Sequence, residues 1–255
     1  MTDYSHDKIV PFKDSELGKK EQVADMFDQI AFRYDFLNRF LSGGIDIYWR
    51  KRAIRELCAG ETMAAGAVLD VATGTGDMAI MLSRQLPRAR ITGVDISKGM
   101  LGIGHRKIAK LKWEDRITLQ PGDSEAIPFP DNIFDAVTVA FGVRNFEHLE
   151  QGLQEMRRVL KPGGKLVILE FSQPRAPVIR QLYLLYLRLI APGIAGMASS
   201  NRKAYQYLND SVQAFPEGER FIRILEGCGY VNTRLRRLSL GVCSLYTGEK
   251  VAGRN

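Results

Sequence analysis

The chain has 255 residues, 45% of them hydrophobic and 25% charged, which excludes a disordered, collagen-like or coiled-coil protein and suits one α/β domain with its own core. An excess of basic over acidic residues, 36 to 29, gives a net charge of +7 that permits nucleic acid or an anionic membrane as partner without specifying either. The three cysteines, Cys58, Cys228 and Cys243, lie far apart with no CxxC pair, which argues against a disulfide framework or a metal site and suits a reducing cytosol.

Residues 1–20 are polar and lysine-rich and read as a flexible arm ahead of a single domain over 21–255. No apolar segment follows Met1 to Lys8, so no secretory signal is expected. Val23, Met26, Phe27, Ile30, Tyr34, Leu37 and Leu41 recur at three- and four-residue steps, an amphipathic helix ended by Ser42-Gly43-Gly44. With a second helix over about 47–58, it makes residues 21–60 a helical lid. From residue 67 the pattern alternates. Strands at 67–71, 91–95, 117–120, 134–140 and 164–170 are separated by helices at 78–85, 97–111 and 149–160, the last stopped by Lys161-Pro162-Gly163-Gly164. Buried parallel strands joined by helices make a doubly wound sheet. Residues 172–215 read as helix and loop, a cap inserted after the fifth strand. A helix at 221–227 then leads to strands at 231–240 and 242–249, joined so closely at Gly241 that they must be antiparallel.

Gly74-Thr75-Gly76 lies between the first strand and its helix, where free N–H groups await a ligand. With Ala79 the run also satisfies the dinucleotide fingerprint GxGxxA. Asp70 and Asp77 flank the turn, and their negative charge disfavours a pyrophosphate while favouring a ligand with a sulfonium and an ammonium, such as S-adenosylmethionine. Asp95 closes the second strand, about twenty residues beyond the first glycine, where either kind of ligand places ribose hydroxyls. Asp123 and Ser124 close the third strand and suit an adenine. Three acids ending three successive strands form a stronger signal than any one of them, because ligands of doubly wound sheets bind at those carboxyl ends.

The blocks Val68-Leu69-Asp70-Val71-Ala72-Thr73-Gly74-Thr75-Gly76-Asp77, Gly122-Asp123-Ser124-Glu125-Ala126-Ile127-Pro128 and Leu160-Lys161-Pro162-Gly163-Gly164 resemble class I S-adenosylmethionine-dependent methyltransferases. Two further segments, Phe27-Asp28-Gln29-Ile30-Ala31-Phe32-Arg33-Tyr34-Asp35 and Phe141-Gly142-Val143-Arg144-Asn145, are similar to signatures of the ubiquinone/menaquinone biosynthesis C-methyltransferases. The resemblance spans about residues 20–250. It implies a seven-stranded Rossmann-like sheet with an antiparallel last strand, and methyl transfer from S-adenosyl-L-methionine to a ring carbon of a prenylated quinol. Demethylmenaquinol is the favoured substrate, with a polyprenyl methoxy-benzoquinol, another small molecule or RNA as alternatives. It also implies donor contacts at Thr73, Gly74, Thr75, Gly76, Asp95, Ile96, Asp123 and Ser124, beside Asp70 and Asp77, and at the backbone of Ala140, where relatives often carry serine.

For the chemistry itself, a base or a nearby cation should help a ring hydroxyl ionise and load the adjacent carbon with electron density. Arg144 suits that role, or else pairs with an acid such as Glu147, and Asn145 could hold a ring oxygen. Tyr34 and Asp35 join them if the first helix closes over the donor. His105 and His148 read as surface residues. The apolar run 177–198, with Arg180 and Arg188 embedded, suits a wall for an isoprenoid tail, a membrane contact or a buried helix of the cap. The longest uncharged stretch there, Leu189 to Asn201, is shorter than the roughly 20 apolar residues a membrane span needs. The expected setting is therefore cytoplasmic, touching the inner face of the membrane transiently, with no nucleic-acid partner and with a homo-oligomer left open.

Overall fold

The computed structural model describes residues 4–59, 66–179, 181, 185 and 199–252. In chain order these form α1 (Lys19–Ser42), α2 (Ile45–Leu57), β1 (Ala67–Val71), α3 (Asp77–Gln85), β2 (Arg90–Asp95), α4 (Lys98–Leu111), β3 (Ile117–Pro121) and β4 (Phe134–Ala140). There follow α5 (Leu149–Val159), β5 (Leu160–Phe171), α6 (Ser199–Ala214), α7 (Glu219–Gly227), β6 (Tyr230–Leu238) and β7 (Cys243–Lys250). The seven strands make one sheet in the order β3-β2-β1-β4-β5-β7-β6. The first five are parallel, and β7 runs antiparallel to both β5 and β6. Chain order reverses between β1 and β4, and a ligand crevice opens at the carboxyl ends on either side of such a switch.

Strand periodicity sends alternate side chains to opposite faces. Val68 packs with Trp49, Ile54, Leu82 and Leu101 from α2, α3 and α4. Its neighbours Leu69 and Val71 pack with Leu149, Leu153, Phe221 and Leu225 from α5 and α7. A third cluster sets Val23, Met26 and Ile30 of α1 against Met100 of α4 and Tyr207 of α6. That cluster lays α1 across the carboxyl edge of the sheet. The edge strand β6 keeps Arg234 and Arg236 exposed, as a blunted edge requires.

Three features differ from the sequence reading. Residues 4–20 pack on the body rather than trailing as an arm: His6 is 0% exposed, and buried Lys19 donates from Nζ to the carbonyls of His6 and Phe146 at 2.7 and 3.0 Å. Burial, reinforced by Lys19, pushes His6 down to about 3, so the ring stays neutral in the core. Second, β5 begins at Leu160 directly after α5. Lys161 to Gly164 form a bulge inside the strand, where the pairing with β4 jumps from Phe134↔Leu160 to Ala136↔Lys165. Third, the β6–β7 connection spans Ser239–Gly241 as a short 3-10 turn. Most of the run 177–198 lies outside the described residues.

Candidate active site

The β1–α3 turn is built on two glycines with left-handed φ, +58° at Gly74 and +78° at Gly76, which caps α3. A Cβ at Gly74 meets nothing within 4 Å, so the space above this backbone is free for a ligand. Substituting Gly74 with alanine should cost about 1 kcal/mol of stability for the forced positive φ. It should also weaken donor binding far more than the fold, which calorimetry beside thermal denaturation would check.

Asp95 organises this turn. Its Oδ2 accepts from Gly74 N–H at 2.7 Å and its Oδ1 from Ser97 N–H at 2.9 Å. Burial raises its carboxyl to about 6 against the opposing pull of those backbone bonds. Asp70 lies deeper, 1% exposed, accepting from the Thr73 hydroxyl at 2.6 Å and the Thr138 hydroxyl at 2.8 Å. Burial likewise raises it to about 6. Asp70 thus braces the turn from beneath instead of facing the crevice.

The expected surplus of free acid is smaller than the sequence implies. Asp77 meets Lys107 Nζ at 2.7 Å and Arg39 Nη2 at 3.3 Å. Burial works to raise its carboxyl, yet the Lys107 ammonium and Arg39 hold it below the usual range. Asp123 is met by Lys20 Nζ at 2.7 Å. These cations sit on helices α1 and α4, distant in sequence from the acids they meet.

A cleft runs along the carboxyl edge under α1, lined by Lys20, Val23 and Phe27 above and by Ala72, Asp95, Ile96, Asp123, Ser124, Gly142 and Asn145 below. It brings together Asp95, Ile96, Asp123, Ser124 and Asn145 of the expected residues. Ala140 ends β4 opposite Leu169, and Phe141 follows at φ +63°.

Beyond β4, Arg144 is 4% exposed and pairs with fully buried Glu170, Nη1 to Oε1 at 2.9 Å; its Nη1 also donates to the Phe141 carbonyl. The partner is Glu170 rather than Glu147, because the β4–β5 register places the end of β5 beside this turn. Arg144 Nε is buried without a hydrogen-bond partner. Asn145 Oδ1 accepts from the Tyr207 hydroxyl at 3.2 Å, a contact from the cap that the sequence does not reveal. Burial raises the Tyr207 phenol far above its ordinary value, so it remains a donor. Asn145, its oxygen so engaged, lines the cleft with its amide.

Tyr34 and Asp35 part company. Tyr34 is half-buried, edge-on to Phe27 with centroids 5.7 Å apart, and burial raises its phenol. Asp35 accepts from the Thr75 hydroxyl at 2.6 Å and meets Lys107 at 2.5 Å, so it is committed to holding the turn. His105 is exposed; the ring of His148 is half-exposed and its Nδ1 contacts Glu125 at 3.0 Å.

Comparison with known proteins adds to this geometry. Residues 15–250 match the ubiE/COQ5 methyltransferase family. The chain is 47% identical over 244 residues to the ubiquinone/menaquinone biosynthesis C-methyltransferase UbiE of Geobacter sulfurreducens, covering 95% of this chain and 93% of that one. It is 43% identical over 248 residues to the demethylmenaquinone methyltransferase of Bacteroides fragilis, covering 97% and 99%. Its fold is shared by a Haemonchus contortus phosphoethanolamine N-methyltransferase solved with S-adenosyl-L-methionine, with a TM-score of 0.63 at 15% identity over 88% of this chain and 57% of that one.

Proposed function

The chain belongs to the ubiE/COQ5 methyltransferase family, and from that premise we propose that it transfers a methyl group from S-adenosyl-L-methionine to a ring carbon of demethylmenaquinol. The observation that carries this reading is the extent of the match, which takes in both the catalytic sheet and α1 over its crevice. The residues present fit the donor: open space above Gly74, an ionisable Asp95 at the end of β2, and Asp123 with Ser124 at the end of β3.

The donor supplies a methyl carbon already activated by its sulfonium. What remains for the chain is alignment in a dry site. Helix α1 covers the crevice, and Phe27 makes its roof apolar. Asn145 offers amide N–H groups to a ring oxygen, and the Arg144 cation behind it favours ionisation of that oxygen. Glu170 offsets part of that charge while fixing the guanidinium in place.

A long isoprenoid tail confines the substrate to lipid, so the protein meets it at the inner face of the membrane, from the cytoplasm. No described helix is long and apolar enough to cross a membrane. The net charge of +7 suits a visit to an anionic surface.

The test supplies methyl-labelled donor with vesicles holding either demethylmenaquinol or a polyprenyl methoxy-benzoquinol. Label in the naphthoquinol is expected. Label confined to the benzoquinol overturns the substrate, and label only in added RNA, or nowhere, overturns quinol methylation.

A further inference from the structure

We propose that Lys107 is a positioning residue that clasps α1 onto the donor-binding turn. An ammonium has three N–H donors, and Lys107 Nζ meets acceptors on three different elements: Asp35 of α1 at 2.5 Å, Thr75 of the β1–α3 turn at 2.9 Å and Asp77 of α3 at 2.7 Å. The Thr75 hydroxyl in turn donates to Asp35 at 2.6 Å, closing a triangle of lysine, threonine and aspartate.

The backbone is shaped for this approach. A Cβ at Gly104 of α4 would stand 3.3 Å from the Thr75 carbonyl and 2.4 Å from the Leu119 side chain, so only glycine lets α4 come this close. Lys107 lies three residues further on the same helix face, directly at the turn.

The arrangement is electrostatically one-sided without its centre. Asp35 and Asp77 flank one turn, and removing Lys107 takes away the cation they share, leaving Asp35 the Thr75 hydroxyl and Asp77 the Arg39 guanidinium. The acid that Lys107 captures adjoins Tyr34, so the same contact sets where the inner face of α1 lies over the crevice. Lys107 contacts Thr75 and Asp77 on the donor side and Asp35 on α1, and it acts by holding these three together. Arg39 also reaches Asp77, at 3.3 Å, so the loss on removing Lys107 is partial.

The role rests on the reading that this turn binds S-adenosyl-L-methionine, and the probe is the product, S-adenosylhomocysteine. Hydrogen exchange of residues 19–42 and calorimetric affinity are measured in the wild type, K107M, K107R and D35N. In the wild type the product should slow exchange along α1. K107M and D35N should each weaken binding about tenfold and lose that slowing, with the exchange of β1 and β4 unchanged. K107R should recover part of both. The K107M/D35N double variant should lose little more than either single one, because both remove the same clasp.

Wild-type affinity and wild-type slowing of α1 in folded K107M or in D35N overturns the proposal, as does full additivity in the double variant. Should K107M fail to fold, D35N decides alone, its side chain being 34% exposed and tolerant of the change. A wild-type protein that fails to bind the product overturns the donor reading instead, and the clasp falls with it.

Discussion

E170A should melt about 10 °C below the wild type and turn over little or no substrate. Glu170 is 0% and Arg144 4% exposed, and the carboxylate accepts from Arg144 Nη1 at 2.9 Å, from Arg144 N–H at 3.3 Å and from Phe171 N–H at 2.8 Å. Deleting one member of a buried pair strands the other charge, at a cost of roughly 3–5 kcal/mol. At about 2–4 °C per kcal/mol for a large domain, that loss gives the stated shift. The pair also fixes where the guanidinium sits, so turnover should fall with stability. The double variant R144M/E170A separates the two roles: without a charge to strand, it should regain most of the lost stability and none of the activity. A melting temperature for E170A within 2 °C of the wild type would show that the pair contributes nothing.

That pair also shows how far the sequence could be read. Arg144 stands out in Phe141-Gly142-Val143-Arg144-Asn145, yet its partner lies on the next strand, and only the pairing Ala140↔Leu169 brings Glu170 beside it. The sheet itself was legible because parallel strands buried on both faces are written as mostly apolar runs, as in Ala67–Val71 around Asp70 and Phe134–Ala140 around Asp135 and Thr138. Acids at the strand ends were legible for the same reason, as polar interruptions of those runs. Their partners were not. Lys20 and Lys107 are cations on amphipathic helices, and a cation there is ordinarily solvated.

A trace of Lys107 does exist in the pattern. Met100, Gly104, Lys107 and Leu111 fall on one side of α4, and Met100 and Gly104 are buried. A lysine on that stripe has to find acceptors. Tyr207 and His6 left no comparable trace: both are buried by segments distant in sequence, α1 and the chain before it against α6, and no local periodicity records such packing.

D95N should weaken donor binding by about a hundredfold at pH 7.5 while leaving the sheet intact. Asp95 holds two backbone donors, at Gly74 and Ser97, one on each oxygen. An amide can accept with one end only, and its NH2 then faces an N–H group. Hydrogen bonds to a charged group are worth roughly 1.5–3 kcal/mol each, and losing one while misplacing the turn accounts for the expected factor. The same change occurs in the wild type on acidification. Burial raises Asp95 to about 6 against an ordinary 3.8, so the folded chain takes this proton before the unfolded chain does. The ionised carboxylate therefore costs stability at neutral pH, and that cost is relieved as pH falls through 6. Donor affinity runs the other way. If only the ionised form holds the turn, affinity should drop about tenfold between pH 7.5 and 5. D95N should lack this step. Asp70, also raised to about 6 but bonded to the Thr73 and Thr138 hydroxyls, braces the turn without gripping its N–H groups, so D70N should retain it. Calorimetric titration of S-adenosylhomocysteine across that range tests both variants, and an equal pH dependence in D95N and wild type would show that Asp95 is not the group whose charge shapes the donor turn.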